Sequence, residues 1–109
     1  MEFVVIARAV ESSNVPPQAT IALAKQTFQM LKANKESRIK AMYGFAGERA
    51  GVMIIEAKSG DELQEVIGNL PLSGISTFEI HAVGSIDSVL KNLEIAEQRV
   101  AAMTPAGVR

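Results

Sequence analysis

The sequence has no cysteine, no tryptophan and only one histidine among its 109 residues. Without cysteine, the chain cannot form a disulfide framework, a thiol nucleophile or a thiolate metal site. One histidine and no closely spaced carboxylate pair on a helix offer too few ligands for a metal ion. The glycines Gly44, Gly47 and Gly51 match neither a P-loop nor a dinucleotide-binding fingerprint. We therefore expect no metal and no other cofactor.

Long hydrophobic runs and charge of one sign are also missing. No segment stays apolar over the roughly 20 residues that a membrane-spanning helix needs. The apolar start MEFVVIARAV does not match a signal peptide, because Glu2 follows the first residue and Arg8 interrupts the run. The 11 basic and 12 acidic side chains are scattered, so there is no basic stripe to hold a nucleic acid. We expect a cytoplasmic protein that binds neither membrane nor nucleic acid.

The length and the apolar content predict one compact domain. Of the 109 residues, 48% are hydrophobic. We expect the domain to span residues 1–103, including a C-terminal helix over about 85–101, and residues 104–109 to form a flexible tail. A domain of this size is stable by only about 5–15 kcal/mol, so an uncovered apolar face favours self-association.

Hydrophobic periodicity predicts four strands and three helices. The predicted strands lie at residues 2–10, 37–46, 50–57 and 75–83, and the predicted helices at residues 16–34, 60–69 and 85–101. Ser59 and Glu62 form a capping-box pattern before the second helix. Either Ser85 or Asp87 can cap the last helix.

The order of these elements predicts an α+β, ferredoxin-like βαββαβ domain. With right-handed crossovers, its four-stranded antiparallel sheet has strand order 4-1-3-2 and both helices on one face. Strands one and three are apolar on both faces, which fits the centre of the sheet, but their second face then needs a cover. A second copy of the sheet is the simplest cover. The C-terminal helix is the alternative cover, and it could instead clasp a neighbouring subunit.

Three segments resemble the muconolactone isomerase family of the dimeric α+β barrel superfamily. They are the opening strand MEFVVIARA, the run GVMIIEAKSGDELQEVIGNL and the stretch LPLSGISTFEIHAV, together covering about residues 1–83. The resemblance implies a homo-oligomer built from dimers, with pockets between sheet and helices that partner segments close. It also implies a small organic acid or lactone as substrate or ligand. If the chain is an enzyme, the resemblance implies an isomerase.

The family's reaction moves a hydrogen within an unsaturated lactone, which requires a base, an acid and a cation for the carboxylate. The sequence departs from the family's pattern in the segments concerned. ESSNVPPQA has no histidine, and SRIKAMYGFAG has neither tryptophan nor histidine. The last strand also continues into a helix instead of a short polar tail.

His81, Glu79 and Glu56 are the predicted catalytic residues. His81 and Glu79 share one face of the fourth strand, about 6–7 Å apart along it. As a general base, His81 would need a partner to orient it, and either carboxylate could serve. The plainer interpretations are an exposed edge-strand histidine and a cross-strand ion pair between Lys40 and Glu56.

Arg8, Lys40 and Tyr43 are the predicted substrate-binding residues. Antiparallel pairing places Arg8 near Ser76, where its guanidinium can hold a carboxylate bidentately. Lys40 is a second candidate anion holder. Tyr43 either lines a pocket or packs in the core with its hydroxyl at the edge.

Three functional hypotheses follow. The first is an isomerase-like protein that acts on or binds a small organic acid or lactone. The second is a non-catalytic binding or regulatory module, and the third is a structural domain whose last helix mediates assembly. A pocket that joins the three predicted catalytic residues favours an enzyme, whereas a pocket lined by Arg8 or Lys40 alone favours a binding module.

Overall fold

The structure is a computed structural model that describes residues 1–10 and 14–103. In chain order its elements are β1 (Glu2–Ala9), α1 (Pro17–Lys32), β2 (Ile39–Gly44), β3 (Ala50–Glu56), α2 (Gly60–Gly68), a short 3-10 helix (Pro71–Ile75), β4 (Ser76–Val83) and α3 (Ile86–Met103). Every predicted element is present, and the 3-10 helix is an addition. The predicted tail, 104–109, lies outside the described residues.

The four strands form one antiparallel sheet in the order β2-β3-β1-β4. This order confirms the predicted ferredoxin-like α+β fold. On the central strand β1, Val5 pairs with Met53 of β3 on one side and with Ile80 of β4 on the other. The edge strand β2 has an irregular register between Ile39 and Ala41, which takes Lys40 out of the pairing with β3.

The hydrophobic core lies on one face of the sheet, under α2. Alternate residues of a strand point to the same face, and on β1 and β3 this face is apolar. The side chains of this apolar face and those of the α2 stripe are buried together in one cluster, which includes Phe3, Val5, Met53, Ile55, Leu63, Val66 and Ile67. Burying a side chain of this kind contributes roughly 1.5–3 kcal/mol. This cluster is therefore the main source of stability.

The predicted cap of α2 is present. The Ser59 hydroxyl accepts a hydrogen bond from the backbone N–H of Glu62 at 3.2 Å. The Glu62 carboxylate reaches back to accept one from the backbone N–H of Lys58, also at 3.2 Å. The first bond satisfies a donor that the first turn of a helix otherwise leaves unpaired, and the second ties the residue before the cap to the helix. Together they explain why α2 begins at Gly60.

Helix α1 is anchored to the 3-10 helix. Thr27, which is completely buried, donates a hydrogen bond from its hydroxyl to the Leu23 carbonyl at 2.9 Å. The same hydroxyl accepts one from the backbone N–H of Leu72 at 3.1 Å. Part of the apolar face of α1 is not in the core: Ile21 is 65% exposed and Phe28 is 48% exposed, whereas Leu31 packs against the core cluster. Ile21 and Phe28 overhang the sheet instead.

The second face of the sheet, called here the open face, has no cover within the described chain. Its central residues, Val4, Ile6, Val52 and Ile54, are only partly buried. Helix α3 does not fold back over it, because every residue from 86 to 103 is exposed. The chain is accordingly elongated, with dimensions of 67 × 30 × 25 Å. None of the helices described here has the length and apolar character to cross a membrane.

Candidate functional site

A cleft of about 630 Å³ lies between α1 and the end of the sheet where the β2–β3 hairpin turns. Its volume falls within the roughly 300–1,000 Å³ that is usual for small-molecule sites. The walls are predominantly apolar, with floor residues from the strands and roof residues from the helix; they include Ala7, Ala9, Gly44, Gly51, Ile21, Ala24 and Phe28.

The floor of the cleft is low because its side chains are small. Gly44 and Gly51 face each other across β2 and β3, and Ala7 pairs with Gly51 from β1. At Gly51 a side chain is excluded by the neighbouring strand β2, since a Cβ would lie 2.9 Å from the carbonyl oxygen of Tyr43. A Cβ at Gly44 would meet nothing within 4 Å. The sequence thus creates a hollow beneath α1.

The roof is the apolar stripe of α1. Ile21 and Phe28 lie seven residues apart, and therefore on one face of the helix, with Ala24 between them. Because Thr27 fixes α1 to the 3-10 helix, this stripe stays above the floor without filling it. Large apolar side chains that remain half exposed over a hollow lose that exposure when a ligand fills it.

Three charged residues line the cleft: Lys25 from α1, and Glu48 and Arg49 from the hairpin turn. The Glu48 carboxylate accepts a hydrogen bond from the guanidinium of Arg8 at 2.8 Å. Within residues 1–10 and 14–103, neither Lys25 nor Arg49 forms an ion pair. The turn that carries Glu48 and Arg49 is allowed by Gly47, whose φ of 86° suits glycine. The cleft is therefore positively charged overall.

The predicted pair His81 and Glu79 lies on the open face, on the opposite side of the sheet from the cleft. In the sheet register His81 is opposite Val4, and Glu79 is opposite Ile6. The His81 Nε2 and a carboxylate oxygen of Glu79 are 3.3 Å apart, and both side chains are more than half exposed. The two side chains therefore contact each other on a solvent-exposed surface.

Glu56 is separated from this pair. Strand β1 lies between β3 and β4, and Glu56 is opposite Glu2 at the end of the sheet. Its carboxylate accepts a hydrogen bond from the N-terminal ammonium of Met1 at 2.7 Å. The plainer interpretation, a Lys40–Glu56 ion pair, is wrong because the irregularity in β2 shifts Lys40 out of register with β3.

Arg8, Lys40 and Tyr43 also lie outside the cleft lining. Arg8 is opposite Thr77, and not Ser76, which pairs with Ala9. Lys40 is exposed at the irregular part of β2, and Tyr43 is 65% exposed on the open face, opposite Val52. Arg8 alone is connected to the cleft, through its bond to Glu48.

The family model of muconolactone delta-isomerase matches residues 1–88. The chain belongs to the muconolactone isomerase family. Among solved structures, a crystal structure of muconolactone isomerase is similar, with 17% sequence identity and a TM-score of 0.65; the match covers 78% of this chain and 90% of that one.

A second similar solved structure is 5-chloro-2-hydroxyhydroquinone dehydrochlorinase from Burkholderia phenoliruptrix AC1100, in complex with 2,5-dihydroxybenzoquinone. It has 19% sequence identity and a TM-score of 0.58, and the match covers 81% of this chain and 98% of that one. No curated protein matches the chain. At these identities the structural likeness shows the fold, and the activity has to be argued from the site.

Within this muconolactone isomerase fold, the sequence reasoning missed all three charged residues of the cleft. Lys25 offered a signal, since it comes four residues after Ile21 and three before Phe28, at the border of an apolar helix stripe. Glu48 and Arg49 offered none, because charged residues are ordinary in a hairpin turn. In the described part of the chain, no three His, Asp or Glu side chains come together as a metal site.

One further charge cluster is structural and lies away from the cleft. Arg38 binds Glu36 through two hydrogen bonds of 2.8 and 2.9 Å. Its guanidinium also lies 3.7 Å from Glu62 and 3.8 Å from Glu65 on α2. The hydrogen bonds from Arg38 lower the pKa of the Glu36 carboxyl, and those to Glu36 raise the pKa of Arg38. The cluster ties the start of β2 to α2.

Proposed function

We propose that this member of the muconolactone isomerase family binds a small organic acid or lactone in the cleft under α1. In this proposal Lys25 and Arg49 hold the carboxylate, and Ile21 and Phe28 cover the apolar part of the ligand. The observation that carries the proposal is the presence, in a mostly apolar cleft, of two cations that form no ion pair among the described residues.

The charge balance of the cleft favours an anion. Glu48 is the only acidic group among the lining residues, and Arg8 already neutralises it at 2.8 Å. A ligand carboxylate therefore meets Lys25 and Arg49 without a competing free carboxylate. Hydrogen bonds in which both groups are charged are roughly twice as strong as neutral ones, and an apolar surround strengthens them further.

The direct test is thermal unfolding with a panel of small carboxylates and lactones. We expect saturable stabilisation by a carboxylate that carries an unsaturated ring; at about 100 times Kd it amounts to about 2.7 kcal/mol. Lys25→Ala and Arg49→Ala should each reduce this stabilisation. Lys32→Ala, which removes a lysine from the last turn of the same helix, should leave it unchanged because Lys32 does not line the cleft. Equal stabilisation of all three variants would contradict the proposal.

Isomerase activity is the second candidate function, and the position of Glu48 favours it. A hydrogen shift within an unsaturated lactone needs a base that removes a proton from one carbon and an acid that returns it to another. Glu48 is the carboxylate available for this in the cleft lining, and Arg8 fixes its orientation. We expect Glu48→Gln to abolish isomerisation of a lactone, measured by ultraviolet absorbance, while the same lactone acid still stabilises the protein.

The residues His81, Glu79 and Glu56 stay a predicted alternative site. Because they lie on or beside the open face, they would need a covering partner to form an enclosed pocket. If His81→Ala abolishes activity and Glu48→Gln does not, this alternative replaces the cleft as the site of chemistry. The absence of a nucleic-acid partner and a cytoplasmic location likewise stay predictions.

We also propose that the chain assembles with itself through the open face. The centre of this face, formed by Val4, Ile6, Val52 and Ile54, is apolar, and water would otherwise contact it in the single chain. A second copy of the same face covers it with two-fold symmetry. Val52→Glu should break this contact and halve the mass in solution, whereas a glutamate at an exposed site of α2, Gln64→Glu, should leave the mass unchanged.

A further inference from the structure

Helix α3 is the part of the chain that the family does not account for. The family match ends at residue 88, and α3 runs from Ile86 to Met103. All 18 of its residues are exposed, including Leu90 at 54% and Leu93 at 59%. A helix of this length is only marginally stable in water without tertiary packing. Its apolar side chains therefore require a partner surface.

The apolar residues of α3 follow a heptad pattern. They recur at alternating intervals of three and four residues; the members are Ile86, Val89, Leu93, Ala96, Val100 and Met103. This is the spacing of the a and d positions of a coiled coil, which keeps the stripe facing a second helix along its whole length. Polar and charged side chains such as Lys91, Glu94 and Gln98 lie away from the stripe.

We propose that α3 pairs in the antiparallel direction with α3 of a second copy of this chain. When the two helices overlap completely, the two-fold axis passes between Glu94 and Ile95. Leu93 then faces Ala96 of the other copy, and a large side chain fills the space beside a small one. By the same symmetry Ile86 faces Met103. All six stripe residues of each helix thus find an apolar partner.

The parallel arrangement fits less well. It would place Ala96 against Ala96, leaving a gap, while Leu93 faces Leu93 one layer away. It would also bring the two sheet-containing domains to the same end of the helix pair, where they compete for space, because only Gly84 and Ser85 separate β4 from α3. In the antiparallel pair the bodies lie at opposite ends of a helix about 27 Å long. Complementary side-chain volumes and free space for the bodies both favour antiparallel pairing.

The size of this contact sets its expected strength. Specific protein interfaces bury at least about 1,000 Å² in total. The area buried by one helix pair about 27 Å long is at the small end of that range, even though Leu90 widens the apolar stripe on one side. We therefore expect concentration-dependent pairing. Combined with the separate contact through the open face, it would join two dimers into a closed tetramer.

Cysteine cross-linking of the full chain tests both the partner and the direction, since the natural sequence has no cysteine. In the antiparallel pair Val89 of one copy faces Val100 of the other, whereas the two Val89 side chains are about 17 Å apart along the axis. A mixture of Val89→Cys and Val100→Cys should form a covalent dimer under mild oxidation. Val89→Cys alone should not, and efficient cross-linking of Val89→Cys alone would overturn the antiparallel arrangement.

The mass in solution provides the second measurement. Leu93→Glu places a charge in the centre of the stripe and should halve the mass of the assembly. Ile95→Glu makes the same kind of change on the opposite side of α3 and should leave the mass unchanged. If Leu93→Glu has no effect, α3 does not pair. If it lowers the mass while the cysteine mixture stays uncross-linked, α3 contacts another surface and the proposal is wrong. Ligand binding in the cleft is measured separately, because α3 does not line it.

Discussion

Replacing Thr27 with valine tests how the cleft is built. The side chain of Thr27 is completely buried, and its hydroxyl is the acceptor for the backbone N–H of Leu72 at 3.1 Å. Valine has nearly the same shape as threonine but cannot accept this bond. The Leu72 N–H is then buried without a partner, which costs about 1–3 kcal/mol. The Leu23 carbonyl is less affected, because it lies within the helix and also accepts a main-chain bond.

This cost should appear as a lower Tm. For a chain of about 100 residues, 1 kcal/mol corresponds to a change in Tm of roughly 4 °C or more, so we expect Thr27→Val to lower Tm by about 4–12 °C. The same variant should weaken ligand stabilisation, since the bond holds α1 above the cleft floor. Two controls separate the effects. Thr27→Ser keeps the hydroxyl and should retain both the Tm and the ligand response. Thr20→Val removes a hydroxyl that makes only a long bond of 3.5 Å, and it is a control for Tm alone because Thr20 lines the cleft.

A Thr27→Val variant with the Tm and ligand response of the natural protein would refute this reasoning. It would mean that packing of α1 against the 3-10 helix, and not the buried hydroxyl, sets the position of the cleft roof. Thermal unfolding followed by circular dichroism, with and without the ligand that stabilises the natural chain, is sufficient to decide.

Three further predictions concern the electrostatic cluster and the cleft floor. The pKa of Glu36 lies below its usual value, so its pairing with Arg38 stabilises the fold fully above about pH 4.5 and loses this effect as the pH falls through the lowered pKa. Arg38→Met should therefore lower the free energy of unfolding in urea more at pH 7 than at pH 3. Gly51→Ala should lower the free energy of unfolding by about 1–3 kcal/mol, because its Cβ would lie 2.9 Å from a backbone oxygen. Gly44→Ala, whose Cβ would meet nothing within 4 Å, should change the free energy of unfolding by less than about 0.5 kcal/mol. Gly44→Leu should keep the fold but abolish ligand stabilisation, since the side chain would occupy the cleft; undiminished ligand stabilisation would show that the ligand binds elsewhere.

The fold could be predicted from the sequence because local signals agree with each other. The two-sided apolar pattern of β1 and β3 identified the central strands, which leaves β2 and β4 at the edges. Capping signals at Ser59, and at Ser85 or Asp87, indicated where two helices begin; in the structure the Ser85 hydroxyl accepts a hydrogen bond from the backbone N–H of Ser88 at 3.1 Å. Signals of this kind depend only on neighbouring residues.

The site could not be predicted in the same way because it depends on relations between distant segments. The cleft exists because Thr27 bonds to Leu72, 45 residues later, and no local pattern reveals that contact. The irregularity near Lys40 is similarly invisible in the sequence, yet it decides which β2 side chains face β3. The 3-10 helix did leave a trace, since Leu72 and Ile75 are three residues apart after Pro71 and both are buried.

Family membership and cleft chemistry lead to different expectations, and the difference decides which function to test first. This chain has a hollow under α1, but the described residues that line it contain a single carboxylate and no histidine. Proton transfer would require this single carboxylate, that of Glu48, to act first as the base and then as the acid while it accepts a hydrogen bond from Arg8 at 2.8 Å. Two cations beside an apolar cavity, by contrast, can bind a carboxylate without any proton transfer. Binding is thus the function with the fewest additional requirements, and proton transfer at Glu48 becomes the better explanation only if a lactone is isomerised and Glu48→Gln abolishes that activity while ligand stabilisation is unchanged.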